Sequence, residues 1–305
     1  MNCSLKGMVV VTVFKNEVHD EERAFYGVKD AVIDGCKFQG PADGESAFKE
    51  TGNLTVKNCE FLLRYPLWHN SDSVIDNCRM TETCRAALWY DKNTVIKNSV
   101  LGGIKAVREC DNTEIHGTKI NSTEFGWFCR CLTMLDCELN SEYPFLHTSD
   151  IRLENFRLKG KYSFQYTENV EILNSVLDTK DAFWQGKNIT VYDSVVKGEY
   201  LGWYSENVKF VRCKIIGTQP LCYCKNLVLE DCEMIDCDLS FERSDVNASI
   251  KGGITSVKNP KSGRIAADCI GELIADEYAQ GSSCEIIVKS KGECSGAQLK
   301  KCACY

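Results

Sequence analysis

Apolar and polar positions along the chain repeat with a period of nineteen residues. The segment NVEILNSVL at residues 169–177 returns as NITVYDSVV at 188–196, NVKFVRCKI at 207–215 and NLVLEDCEM at 226–234. We number the leading Asn of each copy as position 0. Positions +1 and +3 are aliphatic and positions +2 and +4 are mixed, which is the period-two alternation of a half-buried strand.

The same signal extends through most of the chain and predicts three short strands per repeat. Position +5 is usually Asn or Asp, which tolerates a left-handed bend, and position +8 is again aliphatic. A third apolar stretch precedes the next position 0. Outside the four copies above, position 0 is filled by Asp30, Asn53, Asp72, Asn93, Asn112, Cys131, Asp150 and Asp245.

Short strands at this spacing bury their apolar positions when each coil stacks on the next in parallel. The sequence therefore predicts an all-β fold, a single-stranded right-handed parallel β-helix with three short strands per coil and about 11–12 coils of 19 residues. We predict an N-terminal strand and cap at 1–29, the β-helix at 30–274, and a C-terminal strand and Cys-rich tail at 275–305. Caps are expected because a bare solenoid end is an open sheet edge.

The nineteen cysteines are explained mainly by the repeat. Many of them fall at position +6, which should face inward, where a small apolar thiol packs well. Position +6 holds Cys36, Cys59, Cys78, Ser99, Thr118, Cys137, Phe156, Ser175, Ser194, Cys213 and Cys232. At the C-terminus, Cys294, Cys302 and Cys304 match no standard metal spacing, so a capping tail is favoured over a zinc, iron or redox site. No cofactor or metal is predicted.

Charge and hydropathy exclude two classes of partner. A net charge of −7 and a pI of about 5.3 argue against nucleic-acid binding, which needs a basic face. The apolar run at 8–14 is too short to span a bilayer and instead predicts a first strand. We therefore expect a cytoplasmic protein with no membrane partner, and no sequence feature specifies its oligomeric state.

The third strand is the place where outward columns could carry function. All five tryptophans, Trp68, Trp89, Trp127, Trp184 and Trp203, occupy position −4. Position −5 is more uniformly apolar, so we expect it to face the core and the tryptophans to face outward. Flat aromatic rings on the surface can stack on sugar rings. The alternative is that the tryptophans fill a wide corner of the core, because Trp is usually mostly buried.

Position −3 concentrates groups that act as general acids and bases. It contains carboxylates, histidines and tyrosines, and among them His69 and Glu109 are the candidate catalytic base and acid. The two residues are two coils apart, roughly 10 Å by the interstrand spacing.

Charged residues near the third strand have two interpretations. At position −8, Glu142 would lie beside Lys161 and Lys180 beside Glu199, which favours a ladder of surface ion pairs. Alternatively, Arg64, Arg85, Lys105 and Arg108 form a basic patch that would hold an acidic substrate such as a uronic-acid polymer.

Several segments resemble an uncharacterised bacterial family of pectin-lyase-like right-handed β-helix proteins. They are RYPLWH at 64–69, CRAALWY at 84–90, IKAVRECDN at 104–112, GKYSFQY at 160–166 and GEYLGWY at 198–204. The resemblance covers residues 21–274 and implies the fold but no activity. The chain lacks the paired Asp-Asp of polygalacturonases, and His69 stands where the second Arg of the pectate-lyase motif belongs.

Two functional hypotheses remain open. In the first, the third-strand face binds a carbohydrate or another acidic, planar ligand without catalysis. In the second, the protein is a carbohydrate-active enzyme, a polysaccharide lyase or glycoside hydrolase acting on acidic oligosaccharides. In both, Trp68, Trp89 and Trp127 stack on the ligand while Arg64, Arg85, Lys105 and Arg108 hold its acid groups.

Overall fold

The computed structural model describes residues 11–289, which form a parallel β-solenoid of about 15 turns with about 19 residues per turn. Each strand pairs in parallel with its equivalent one turn away, so that Val170 lies opposite Ile189 and Ile172 opposite Val191. The predicted all-β, right-handed parallel β-helix is confirmed. Within residues 11–289 no helix has the length and apolar character needed to cross a bilayer.

The turns present three faces to solvent, numbered in chain order. In the regular repeats the strands of the first face contain position 0. The first-face strands are Thr12–Lys15, Lys29–Asp34, Gly52–Lys57, Ser71–Asp76, Lys92–Lys97, Asp111–His116, Arg130–Leu135, Ser149–Glu154, Glu168–Leu173, Lys187–Tyr192, Glu206–Val211, Lys225–Ile235, Asp245–Lys251, Ser262–Ala267 and Glu285–Val288.

The second face consists of shorter strands, and Lys225–Ile235 runs through the first and second faces without a break. The second-face strands are Val18–His19, Lys37–Phe38, Glu60–Phe61, Arg79–Met80, Val100–Leu101, Lys119–Asn121, Glu138–Ser141, Arg157–Lys161, Val176–Lys180, Val195–Lys197 and Lys214–Ile216. Near the C-terminal end, Gly253–Lys258 and Cys269–Ile274 pair in a separate two-stranded sheet.

The third face is the least regular of the three. Its strands are Phe48–Lys49, Leu67–Trp68, Leu88–Trp89 and Val107–Arg108, and they form a four-stranded parallel sheet. Beyond Val107–Arg108 the face continues mainly as turns. The described residues also contain two single-turn 3-10 helices, Glu82–Cys84 and Glu277–Ala279.

Both ends of the described chain continue the stack. Thr12–Lys15 pairs with Lys29–Asp34, and Glu285–Val288 pairs with Ser262–Ala267. The sequence count of 11–12 coils came from the regular repeats, and the end turns add to it although they lack the Asn signal. The predicted tail residues Cys294, Cys302 and Cys304 lie outside the described residues.

Stacked aromatic side chains fill the core behind the third face. The ring centroids of Phe145 and Phe164 are 4.7 Å apart, and those of Phe164 and Phe183 are 4.9 Å apart. All three rings are fully buried. Burying a side chain of this size stabilises the fold by about 1.5–3 kcal/mol, so this column contributes strongly to the middle of the solenoid.

A ladder of asparagine side chains runs along the surface at position 0. Asn169, Asn188 and Asn207 have left-handed backbones, with φ between 55° and 58°. The Asn188 Nδ2 donates to Asn169 Oδ1 at 3.1 Å, and the Asn207 Nδ2 donates to Asn188 Oδ1 at 3.0 Å. Asn suits this position because it tolerates the left-handed conformation and its amide both donates and accepts.

The position +6 residues are buried, as predicted, and those that carry a thiol or hydroxyl also make hydrogen bonds. The Cys78 thiol donates to Asp76 O at 3.3 Å and accepts from the Cys59 N–H at 3.4 Å. Ser99 makes the same two bonds with Lys97 O and the Cys78 N–H. Either Cys or Ser can therefore occupy this position, because both satisfy the same backbone groups.

Candidate functional site

The third face exposes two adjacent positions because its backbone bends between them. Leu67 at position −5 is fully buried, Trp68 at position −4 is half-buried, and His69 at position −3 is exposed. His69 has a φ of 55°, and this left-handed conformation turns its side chain to the same side as Trp68. The tryptophan column therefore lies outside the core, with its neighbour column at position −3 beside it.

Trp68 and Trp89 stack on each other, so their facing ring surfaces are not open to solvent. Their ring centroids are 5.3 Å apart at an interplanar angle of 12°, and Lys49 Nζ lies 4.1 Å from the Trp68 ring centroid on the preceding turn. Tyr65 packs against both indoles. Because the ring faces are largely covered, these tryptophans form a rigid wall and expose mainly their edges.

The candidate catalytic residues lie in one column with a tyrosine between them. His69 Nδ1 is 2.9 Å from Glu50 Oε1 on the preceding turn, and the His69 ring centroid is 5.2 Å from that of Tyr90 on the next turn. Glu109 follows Tyr90 in the column. His69 and Glu109 are thus not neighbours, and Tyr90 is the functional group adjacent to both.

Tyr90 was not among the residues selected from sequence. Its phenol interacts with the Glu109 carboxylate, which raises the pKa of Tyr90 by favouring the protonated form. A tyrosine is protonated at neutral pH in any case, and the contact with Glu109 strengthens that preference. The signal that could have identified it was its place at position −3 between the two selected residues.

A cavity of about 400 Å³ opens beside this column. It is lined by His69, Asn70, Ser71, Tyr90 and Lys92. Lys92, one residue before Asn93, brings a cation to the cavity and no sequence pattern distinguishes it. The cavity thus combines an imidazole, a phenol and an ammonium group, a set that can bind an anion and move protons.

The predicted basic patch is divided by the structure. Arg64 forms an ion pair with Asp43 and lies 3.5 Å from Glu45. Arg64 and Arg85 line a separate cavity of about 520 Å³ together with the inserted residues 40–43. This cavity does not include His69 or Tyr90.

The other two basic residues are neutralised by carboxylates. Lys105 Nζ lies 3.6 Å from Glu124 Oε2, while Arg108 lies 3.1 Å from Glu109 and 3.7 Å from Glu124. The Arg108 side chain is only 19% exposed. Its main role here is to hold Glu109 in place next to Tyr90.

Trp127 sits two turns beyond Trp89. The Arg108 guanidinium lies 5.4 Å from its ring centroid, and its Nε1 donates to the carbonyl of Tyr143. Trp127 is therefore held apart from the Trp68–Trp89 pair, and the three tryptophans do not form one continuous platform.

Position −8 forms the predicted ion-pair ladder. Lys161 pairs with Glu142 at 3.7 Å and Lys180 with Glu199 at 3.0 Å. In the part of the chain that the structure describes, no three His, Cys, Asp or Glu side chains are arranged to hold a metal ion.

The fold and this outward column define a β-solenoid protein with a candidate site on its third face. Residues 12–287 match the sequence profile of a family described as "Protein of unknown function (DUF3737)". The chain therefore belongs to the DUF3737 family, which confirms the predicted membership of an uncharacterised β-helix family. No curated protein matches the chain significantly.

Several solved structures match this chain at low similarity. PfbA, a surface adhesin of Streptococcus pneumoniae, is 12% identical with a TM-score of 0.31, over 73% of this chain and 68% of that one. The mannuronan C-5 epimerase AlgE4 A-module of Azotobacter vinelandii is 11% identical with a TM-score of 0.30, over 90% and 85%. A GH87 α-1,3-glucanase catalytic domain is 8% identical with a TM-score of 0.26, over 96% and 62%. These likenesses concern the fold alone.

Proposed function

We propose that the third face is a carbohydrate-binding face and that an acidic sugar ring occupies the cavity lined by His69, Tyr90 and Lys92. The observation that carries the proposal is the combination of an imidazole, a phenol and an ammonium group around this cavity. Lys92 would pair with the sugar carboxylate, and the Tyr90 hydroxyl would bond a ring oxygen. The Trp68–Trp89 stack would fix the wall beside Tyr90, whose ring lies 5.5 Å from that of Trp89.

Binding is tested by titrating the protein with oligogalacturonate and oligomannuronate in a calorimeter. Because a charge-assisted hydrogen bond contributes about 1.5–3 kcal/mol, Lys92→Ala should weaken the affinity by about tenfold or more. Lys97→Ala, an exposed lysine at the other end of the same strand, is the matched control. Equal affinity for a neutral oligosaccharide of the same length, or an equal effect of the two substitutions, would contradict the proposal.

A catalytic function is the second candidate, and the geometry around His69 favours it specifically. The Glu50 carboxylate accepts a hydrogen bond from His69 Nδ1–H, which leaves Nε2 as a proton acceptor. In a lyase reaction, His69 would remove the proton next to the sugar carboxylate. Tyr90 would donate its proton to the departing glycosidic oxygen, taking the acid role first given to Glu109.

This β-elimination leaves a carbon–carbon double bond in the product sugar, which absorbs in the ultraviolet. We expect ultraviolet absorbance to increase with time when the wild-type protein is mixed with an acidic oligosaccharide. His69→Gln or Tyr90→Phe should abolish this increase, while the binding affinity changes only a few-fold. Binding without any absorbance change would show that the face binds without this chemistry.

A further inference from the structure

A second cavity on the third face, well away from the His69 cavity, has a different chemistry. It has a volume of about 310 Å³ and is lined by Asp181, Trp184, Tyr200, Trp203 and Gln219. These residues come from three consecutive turns and occupy only positions −7 and −4. The cavity thus has an acidic and aromatic lining that no functional hypothesis above uses.

The aromatic walls of this cavity are held at fixed angles. Tyr200 and Trp203 meet edge to face, with centroids 5.3 Å apart and an interplanar angle of 76°. The Trp203 Nε1–H donates to Gln219 O at 2.8 Å, which locks the indole against the next turn. Unlike Trp68 and Trp89, these two rings are not stacked face to face. Ring faces as well as ring edges therefore line the cavity.

Asp181 brings to the cavity a carboxyl that forms no ion pair within residues 11–289, and burial raises the pKa of this group. Only 9% of the residue is exposed, and no described residue donates a hydrogen bond to its carboxyl group. The neighbouring cation, Lys180, pairs with Glu199 at 3.0 Å, and its Nζ also lies 5.4 Å from the Tyr200 ring centroid, so a bound cation would share the Tyr200 ring with Lys180. Burying an unpaired carboxylate is costly, and the cost is relieved when a cation enters beside it.

We propose that this cavity binds the ammonium group of a small organic cation. Aromatic rings attract cations through their negative faces, and cages of two or three rings are a recurring way to bind quaternary ammonium groups. Asp181 adds the compensating charge. The buried Trp184 Nε1–H, which has no acceptor among residues 11–289, would donate to a hydroxyl on the same ligand. The cavity is at the small end of ligand sites, which suits an amino alcohol.

The test uses the full chain and choline as the probe. We expect tryptophan fluorescence to change saturably with choline, and Asp181→Asn to weaken the apparent affinity by about tenfold. Trp203→Phe, which keeps an aromatic ring but removes the bond to Gln219 O, should weaken it by a smaller factor. Asp178→Asn is the matched control, because it removes an exposed carboxylate from the same turn outside the cavity.

The neutral isostere 3,3-dimethylbutan-1-ol separates charge recognition from simple apolar filling. Choline should bind about tenfold more tightly than this alcohol if the cavity selects a cation. Equal binding of the two probes, no saturable response to choline, or an equal effect of Asp178→Asn and Asp181→Asn would overturn the proposal. Circular dichroism of each variant shows whether a loss of binding reflects a loss of fold.

Discussion

Asp91 is a residue whose charge conflicts with its surroundings. It lies inside the solenoid next to Cys110 with no exposed surface, and burial raises the pKa of its carboxyl well above the usual range. Its Oδ1 accepts the Asn70 N–H at 2.8 Å, while its Oδ2 has no donor within the described chain. The folded state therefore favours protonated Asp91, and ionisation costs stability.

We predict that Asp91→Asn stabilises the protein at high pH. Because the folded pKa lies above the unfolded one, the folded state binds more protons between the two values, so the Asp91 contribution falls as pH rises. The substitution keeps an oxygen for the Asn70 N–H and removes the charge. Chemical denaturation from pH 5 to pH 8 should show a difference in unfolding free energy that grows with pH.

Asp236→Asn is the control for this measurement, because Asp236 is exposed. Because Asp236 lies in solvent, this substitution should change the unfolding free energy less than Asp91→Asn does at pH 8. If Asp91→Asn were destabilising by a constant amount at every pH, the charge of Asp91 would not be the source of the effect.

At the scale of the structural element, the asparagine ladder fixes the bend at the start of the first-face strands that carry Asn at position 0. The Asn188 amide bonds to the ladder residues before and after it, and its backbone has a φ of 55°. At the next bend, Gly117 occupies an equivalent left-handed position at +5, with a φ of 54°. The bend therefore needs a permissive backbone, and the amide adds two hydrogen bonds to it.

We predict that Asn188→Ala destabilises the fold by about 2–3 kcal/mol. Left-handed backbone costs a residue with a Cβ about 1–2 kcal/mol, and each lost hydrogen bond adds about 0.5–1.5 kcal/mol, at the low end here because the ladder is exposed. Asn188→Gly keeps the bend without strain and should cost less than the alanine variant. Equal losses for the two variants, measured by denaturation, would show that backbone strain plays no part.

The first and second faces were predictable from sequence because their signals are local. Position 0 needs a residue that tolerates a left-handed bend, and position +6 needs a small side chain that can satisfy backbone groups. The site was less predictable. The left-handed backbone of His69, the placement of Tyr90 and the pairing of Arg64 with Asp43 depend on contacts between turns, and the Asp43 partner comes from an insertion outside the repeat.

At the scale of the whole molecule, nearly all strand pairing joins neighbouring turns. Such a stack is quasi-one-dimensional, so each turn is stabilised by the turns directly before and after it. Phe164 packs between Phe145 and Phe183 near the middle, whereas Phe38 packs on Phe61 close to the N-terminal end. A substitution that leaves a cavity at either place should first reduce the local stability of the adjacent turns.

We predict different hydrogen-exchange patterns for Phe38→Ala and Phe164→Ala. Each substitution should cost about 3–5 kcal/mol locally. Phe38→Ala should raise exchange in the N-terminal turns and leave the turns after residue 200 protected, whereas Phe164→Ala should raise exchange on both sides of residue 164. A uniform rise along the chain in both variants, measured by mass spectrometry, would instead indicate one cooperative unit.

The asparagine ladder also gives the solenoid a polarity. In each bond the Nδ2 donates toward the N-terminal neighbour, and each hydrogen-bonded run ends there on a carboxylate: Asn53 on Asp30, Asn93 on Asp72 and Asn169 on Asp150. An ionised carboxylate only accepts, so Asp can be the first member of a run and never an interior one. The aligned amide dipoles point their positive ends at that charge. The ladder therefore depends on the order of the turns. If turns were exchanged between positions, the ladder bonds would be kept only where each Asp remained the first member of its run.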